Sequence, residues 1–213
     1  MQWNYMCNCE LRDLDGQVEG IVLAAGRSLR MGESKMLLPF DGKRTMVEVV
    51  ARCVRPLVCR LIVVVGYRGD EVTSTLAGCS VEIVRNPDLD RGMTSSVQCG
   101  IAAMNAESAA LICLGDQPFL PASVFALVLS AARRSGKGIV IPTFNGRRGH
   151  PLYLAPEYRS KVLKLANDQT LNTVTRGYID DTLEVTVDED SVLRDIDTPA
   201  DYHRERRLIT EGS

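Results

Sequence analysis

The sequence predicts an α/β fold, a doubly wound, mainly parallel sheet of Rossmann-like wiring with helices on both faces. Three observations carry that expectation. Short apolar runs alternate with helical patterns along the chain. The runs are short and rich in β-branched residues or leucine, as in strands buried on both sides. The chain of 213 residues, 45% of them hydrophobic, is long enough to bury a real core in one domain, with or without a small subdomain.

Taken in order, residues 1 to 19 ("MQWNYMCNCELRDLDGQVE") lack the basic-then-apolar layout of a signal peptide and are expected to form a flexible extension. The single folded domain is expected over residues 20 to 208. Strands are predicted at 20 to 24 ("GIVLA"), 61 to 65 ("LIVVV"), 81 to 84 ("VEIV"), 110 to 114 ("ALICL") and 138 to 141 ("GIVI"). The first helix starts at a capping box, "TMVE", in which Thr45 accepts from the backbone and Glu48 reaches back, and it runs to about Leu57. A second helix follows Asp70, and a third runs from about Ser95 to Met104. A fourth runs from Pro121 towards Arg134, closed by Gly136 where a left-handed cap fits. From 142 to 197 the rhythm changes. Helical stretches near 156 to 166 and 169 to 177, with "LEVTV" at 183 to 187, suggest a small lobe inserted on the sheet.

Composition narrows the function. A net charge of −2 with dispersed Lys and Arg gives no basic field for nucleic acid or an acidic membrane. No apolar run reaches the roughly 18 residues of a membrane span, and a cytoplasmic protein is expected. The seven cysteines include no C-x-x-C pair, which points to reduced thiols; Cys53, Cys99 and Cys113 sit among aliphatic residues as core. Cys7 and Cys9 have only two histidines in the chain to join them, both distant in sequence, so a tail is the better reading than a metal site.

The chemistry starts after the first strand. "GIVLAAGRSLRMGESKMLLPF" hangs Arg27, Arg30 and Lys35 on a glycine-bounded loop. Ligands of open parallel sheets collect beyond the carboxyl ends of strands. The spacing fits neither G-x-G-x-x-G nor G-x-x-x-x-G-K-[ST]. A loop that brings backbone close at Ala24, Ala25 and Gly26, with several cations around it, suits a multiply charged anion such as a polyphosphate.

"LAAGRSLRMGESK" resembles the L-A-A-G-x-S-x-R-M-G-x-x-K signature of nucleotidyltransferases of the molybdenum cofactor cytidylyltransferase and guanylyltransferase family. The resemblance, which covers roughly residues 20 to 208, implies that Leu23, Ala24, Ala25 and Gly26 face the base and sugar, while Arg30 and Lys35 face the phosphates. Guanylyltransferase relatives tend to carry L-A-G-G, so the second alanine leans towards CTP over GTP. Nucleotidyl transfer gathers negative charge at the α-phosphate and on the pyrophosphate leaving group, which calls for a lysine and a divalent cation held by oxygen ligands.

Two segments offer the carboxylates. In "LGDQPFL", Asp116 ends an apolar strand at the sheet edge where the first loop lies; the resemblance implies that it binds metal. In "LRDIDTPADYHRE", Asp195 and Asp197 alternate on an extended stretch and point the same way, before Thr198 caps a helix with Pro199 at its first position. By resemblance Asp197 completes the Mg2+ site, with Asp195 in reserve. "NPDLDRGMTSSVQCGI" resembles the family's base-holding turn, implying roles for Gly92 and for Ser95 or Ser96. "NGRRGHPLYL" reads as a flexible cationic patch entering a strand, and it resembles the R-G-H-P loop of the acceptor lobe. That implies that Arg148, Gly149 and His150 meet a phosphate-bearing pterin. "ANDQTLNTVTR" keeps Asp168 and Arg176 but lacks the two glycines that relatives carry there, so the acceptor stays open.

The expected function is transfer of CMP from CTP to molybdopterin with release of pyrophosphate, catalysed by Lys35, Asp116 and Asp197, with a molybdenum hydroxylase as a downstream partner. A sugar- or polyol-phosphate acceptor and a non-catalytic molybdenum cofactor delivery protein are the alternatives.

Overall fold

The computed structural model describes residues 18–28 and 31–211. The extension before position 18 and Arg30 lie outside the described residues.

In chain order the elements are β1 (Val18–Ala24), α1 (Met46–Val54), β2 (Arg60–Val65), α2 (Gly69–Thr75), β3 (Glu82–Arg85), α3 (Met93–Ala103), β4 (Ala109–Leu114) and α4 (Ala122–Ser135). There follow β5 (Ile139–Phe144), β6 (Arg147–Arg148), β7 (Leu152–Leu154), α5 (Arg159–Leu163), α6 (Leu171–Gly177), β8 (Thr182–Thr186) and α7 (Pro199–Glu211). The sheet runs β3-β2-β1-β4-β7-β5, with β8 parallel to β5 on its far side. The β3-β2-β1-β4 half is parallel, whereas β7 is antiparallel to both its neighbours. The predicted mainly parallel α/β sheet is present, and β7 and β8 of the 142 to 197 region continue that sheet.

Period-two patterning makes the two-sided core. Val22 and Ala24 of β1, Val63 and Val65 of β2, and Leu111 and Cys113 of β4 pack with α1 and α4 on one face. Ile21 and Leu23, Ile62 and Val64, and Ile112 and Leu114 pack with α3 and α5 on the other. Cys53 and Cys113 belong to the first core and Cys99 packs on the second, as their aliphatic neighbours predict.

Several local expectations are corrected. β1 begins at Val18 rather than 20, and Glu19 is buried because Arg60 and the backbone N–H of Asn105 hold its carboxylate. β3 is not buried on both sides: it is the sheet edge, with Glu82 and Arg85 exposed, and charge there discourages pairing with other chains. At α1, Thr45 does accept from the N–H of Glu48 at 3.4 Å, but the Glu48 carboxylate takes Arg52 Nε at 3.0 Å instead of closing the box. The reciprocal box appears at α7, where Asp201 N–H donates to Thr198 Oγ1 at 3.2 Å and Thr198 N–H donates to Asp201 Oδ2 at 3.0 Å.

The patch at 145 to 154 is a tight hairpin. Asn145 and Gly146, with φ of 49° and 72°, turn β5 into β6 as an Asn-Gly pair does. Between β6 and β7 the chain bulges at residues 149 to 151. Gly149 is required there by close approach: a Cβ would stand 2.8 Å from both the carbonyl carbon and the Cβ of Val192 and closer still to the Val192 carbonyl oxygen.

A third, smaller apolar cluster has a positional consequence. Leu38, Phe40, Met46, Ile196 and Tyr202 pack together with Phe119, whose ring meets Phe40 edge-on at 4.8 Å. The Tyr202 hydroxyl donates to the Pro39 carbonyl. Three segments distant in sequence, those carrying Lys35, Asp116 and Asp197, are thereby packed on one another.

Candidate active site

A cleft of about 520 Å3 opens beyond the carboxyl ends of β1 and β4. Its one side is the loop after β1, contributing Leu23, Ala25, Gly26, Arg27 and Ser28. The other side is the entry to α3, contributing Leu89, Asp90, Gly92, Met93 and Ser96. Lys35, Asp116 and Asp197 also line it.

Lys35 sits on a short 3-10 turn, Lys35–Leu37, and its backbone N–H donates to Ser28 Oγ at 3.1 Å, which folds the loop back upon itself. The Lys35 ammonium lies between two carboxylates. It pairs with Asp116 Oδ2 and, at 2.8 Å, with Asp197 Oδ1. The three side chains are 12%, 15% and 35% exposed, so the charges are partly withdrawn from water. Burial works against the charged lysine, but attraction to Asp116 and Asp197 outweighs it and raises the ammonium's pKa.

Asp195 stands behind this pair, accepting from Gln117 Nε2 at 2.8 Å. Burial first, then repulsion from Asp116 and Asp197, pushes its carboxyl up to about 6. One ammonium thus faces two carboxylates with a third behind them, and the surplus negative charge favours another cation. An oxygen-only donor set suits a hard divalent ion such as Mg2+ or Mn2+. Among the described residues no group of three ligating side chains could hold a metal unaided, so such an ion would draw its remaining ligands from substrate and water.

The other expected residues divide clearly. Ala24 does not face the cleft; the pleat turns its side chain into the opposite core, leaving only its backbone near the ligand face. Gly92 caps α3 with φ of 70°, a conformation that favours glycine. Ser96 reaches the cleft, whereas the Ser95 hydroxyl is taken up by the carbonyls of Asp88 and Gly92, both at 2.8 Å. Arg148, Gly149 and His150 do not line this cleft. Arg148 is paired with Glu184 at 2.7 Å, so one guanidinium of the patch is engaged by a neighbouring strand, while Arg147 is exposed. His150 N–H donates to the Val192 carbonyl at 3.1 Å. Burial pulls its imidazole down to about 4, although Asp116 pulls the other way. It is neutral near pH 7 and suits hydrogen bonding better than proton transfer.

Sequence reasoning missed Asp90, Leu89, Met93 and Met36 as lining residues, and the Arg27–Asp90 ion pair of 2.8 Å joining the two sides of the cleft. Only their neighbourhood with Gly26 and Gly92 signalled them.

A cleft of this kind at the switch of a parallel sheet, with a lysine and paired carboxylates at its end, defines a nucleotide-handling transferase. The chain belongs to the family of the MobA-like NTP transferase domain, whose model matches residues 20–183, and it is a nucleotidyltransferase. It is similar to the molybdenum cofactor cytidylyltransferase of Escherichia coli, 29% identical over 91% of this chain and 98% of that one. A relative from Paenarthrobacter nicotinovorans, 33% identical over 68% of this chain and 74% of its own length, is named nicotine blue oxidoreductase. Among solved structures, a nucleotidyl transferase from Methanothermobacter thermautotroptrophicus superposes with a TM-score of 0.79 at 27% identity, covering 92% of this chain and 99% of that one. A Mycobacterium tuberculosis protein in complex with manganese has a TM-score of 0.76 at 23% identity, covering 90% and 98%. Among the described residues no helix is long and apolar enough to cross a membrane.

Proposed function

We propose that the protein transfers CMP from CTP to molybdopterin in the cytoplasm, releasing pyrophosphate and using Mg2+. The observation that carries this reading is the Lys35 ammonium bridging Asp116 and Asp197 at the end of the cleft. A carrier of an anionic ligand gains nothing from two carboxylates facing that ligand; an enzyme that recruits a cation there does. Similarity to a molybdenum cofactor cytidylyltransferase along almost its whole length, together with Ala25 in the loop, supports CTP and a pterin acceptor.

In this reading Leu23, Ala25, Gly26, Gly92 and Ser96 receive base and sugar, small residues letting the ligand approach the backbone. Lys35 exchanges a carboxylate for phosphate oxygens as the triphosphate enters, and stabilises charge on the departing pyrophosphate. Arg27 and Arg30 add cations around the chain of phosphates. Asp116 and Asp197 would hold the metal ion. When bound, that ion withdraws charge from the phosphoryl oxygens. Arg148, Gly149 and His150 are retained as the proposed acceptor contacts, with a molybdenum hydroxylase as the enzyme that takes up the product.

The second reading keeps the chemistry and takes a sugar or polyol phosphate as acceptor. The segment "ANDQTLNTVTR", which keeps Asp168 and Arg176 but lacks the two glycines that relatives carry there, favours it. A thermal-shift screen of nucleotides with and without Mg2+ tests the base first, because a ligand at a hundredfold excess over Kd stabilises by about 2.7 kcal/mol. A Mg2+-dependent shift with CTP above that with GTP is the expected result. A shift with neither nucleotide overturns the proposal.

A further inference from the structure

Gln117 follows Asp116 directly, yet its side chain turns away from the cleft and is 3% exposed. Its Nε2 donates twice, to Asp195 Oδ1 at 2.8 Å and to the Val192 carbonyl at 3.3 Å. Both partners only accept, so the amide can face them in one orientation alone. Its Oε1 is then left buried with no hydrogen-bond partner among the described residues. An unpaired buried carbonyl is a cost that native proteins rarely leave in place without a reason. The two donated bonds supply one. They tie the end of β4, which carries Asp116, to the segment that carries Asp197.

Other contacts in the same seam point the same way. Ile196 N–H donates to the Asp116 carbonyl at 3.3 Å, and His150 N–H shares the Val192 carbonyl that Gln117 grips. Asp197 has no regular element of its own to hold it: it lies between the 3-10 turn Asp190–Leu193 and the start of α7. Gln117 clamps this stretch by hydrogen bonds from the Asp116 side, beside the apolar contact of Phe119 with the cluster that holds Ile196.

We propose that Gln117 is a positioning residue for the paired carboxylates, fixing where Asp197 stands relative to Asp116 and so the affinity of the site for a divalent ion. This rests on the proposed metal site at those two residues. Outer partners that orient metal ligands typically carry ten- to hundredfold in metal affinity or activity.

The test uses the full chain with CTP and follows Mn2+ binding by water-proton relaxation. Gln117→Met keeps the volume and removes both donors; Gln117→Asn keeps the amide but withdraws it by one methylene. The expected result is a Kd for Mn2+ raised about tenfold to a hundredfold, with CTP binding in the absence of metal unchanged. Mn2+ affinity equal to the wild type in a folded variant overturns the proposal. So does a parallel loss of metal-free CTP binding, which would mark general loosening. Should Gln117→Met not fold, Gln117→Asn decides by the same readouts, and failure of both to fold makes the residue merely structural. If the wild type itself binds no Mn2+ with CTP, it is the functional reading that fails.

Discussion

Removing the central cation is the perturbation whose outcome the geometry fixes best. Lys35→Met keeps most of the side chain's length and apolar stem but leaves Asp116 and Asp197 facing each other with no charge between them. Removing one partner of a buried ion pair costs about 3–5 kcal/mol. Here Asp197 is 35% exposed, so water screens part of the repulsion, and about 2–3 kcal/mol is the appropriate scale. For a chain of this length each kcal/mol moves Tm by roughly 2–4 °C, giving a fall of about 4–12 °C by calorimetry at pH 8. Two further readings identify the cause. Added salt screens the two facing carboxylates and should narrow the gap to the wild type. Mn2+ should also raise the variant's Tm more than the wild type's, by supplying the missing charge. A Tm loss that is the same at low and high salt and indifferent to Mn2+ would refute the reasoning, because lost packing alone behaves that way.

Gly149→Ala should lose about 3 kcal/mol, or roughly 6–12 °C in Tm, since the new methyl meets the Val192 backbone and no flexible side chain can yield; an unchanged melting curve contradicts the close approach. For His150 the sign follows from its depressed pKa. The unfolded chain binds a proton from about pH 6.5 downward while the folded site resists until about 4, so stability is full above 6.5 and is lost as pH falls between those values. His150→Gln should therefore reduce acid destabilisation in that window by up to about 3 kcal/mol. Urea melts at pH 7 and pH 4.5 check it, and an identical pH dependence in both proteins counts against a buried neutral imidazole.

Much of the architecture was legible because its cause is local. Buried strands such as "LIVVV" and the Gly136 cap have one physical solution each, and the loop from Leu23 to Lys35 declared its role by crowding cations after a strand. Asp116 and Asp197 were readable as carboxylates at a strand end and before a cap. The remaining features depend on neighbours that no short window contains. The "VEIV" strand reads as apolar, but its place at the sheet edge is decided by topology. The "NG" at 145 and 146 did carry a hairpin signal, beside the cationic residues that suggested a flexible patch. Pairing of Arg148 with Glu184 across 36 residues had no such signal. Nor did the partnership of Gln117 with Asp195, 78 residues apart, or the small cluster that packs Leu38, Phe119 and Ile196 together.

Whether a nucleotide is held between Lys35 and a cation bound by Asp116 and Asp197 is decided by pyrophosphate release from CTP, Mg2+ and molybdopterin, comparing the wild type with Asp116→Ala. Pterin-dependent release by the wild type and none by the variant is the expected result, with both proteins giving the same circular dichroism spectrum. Release that continues undiminished in Asp116→Ala would contradict it.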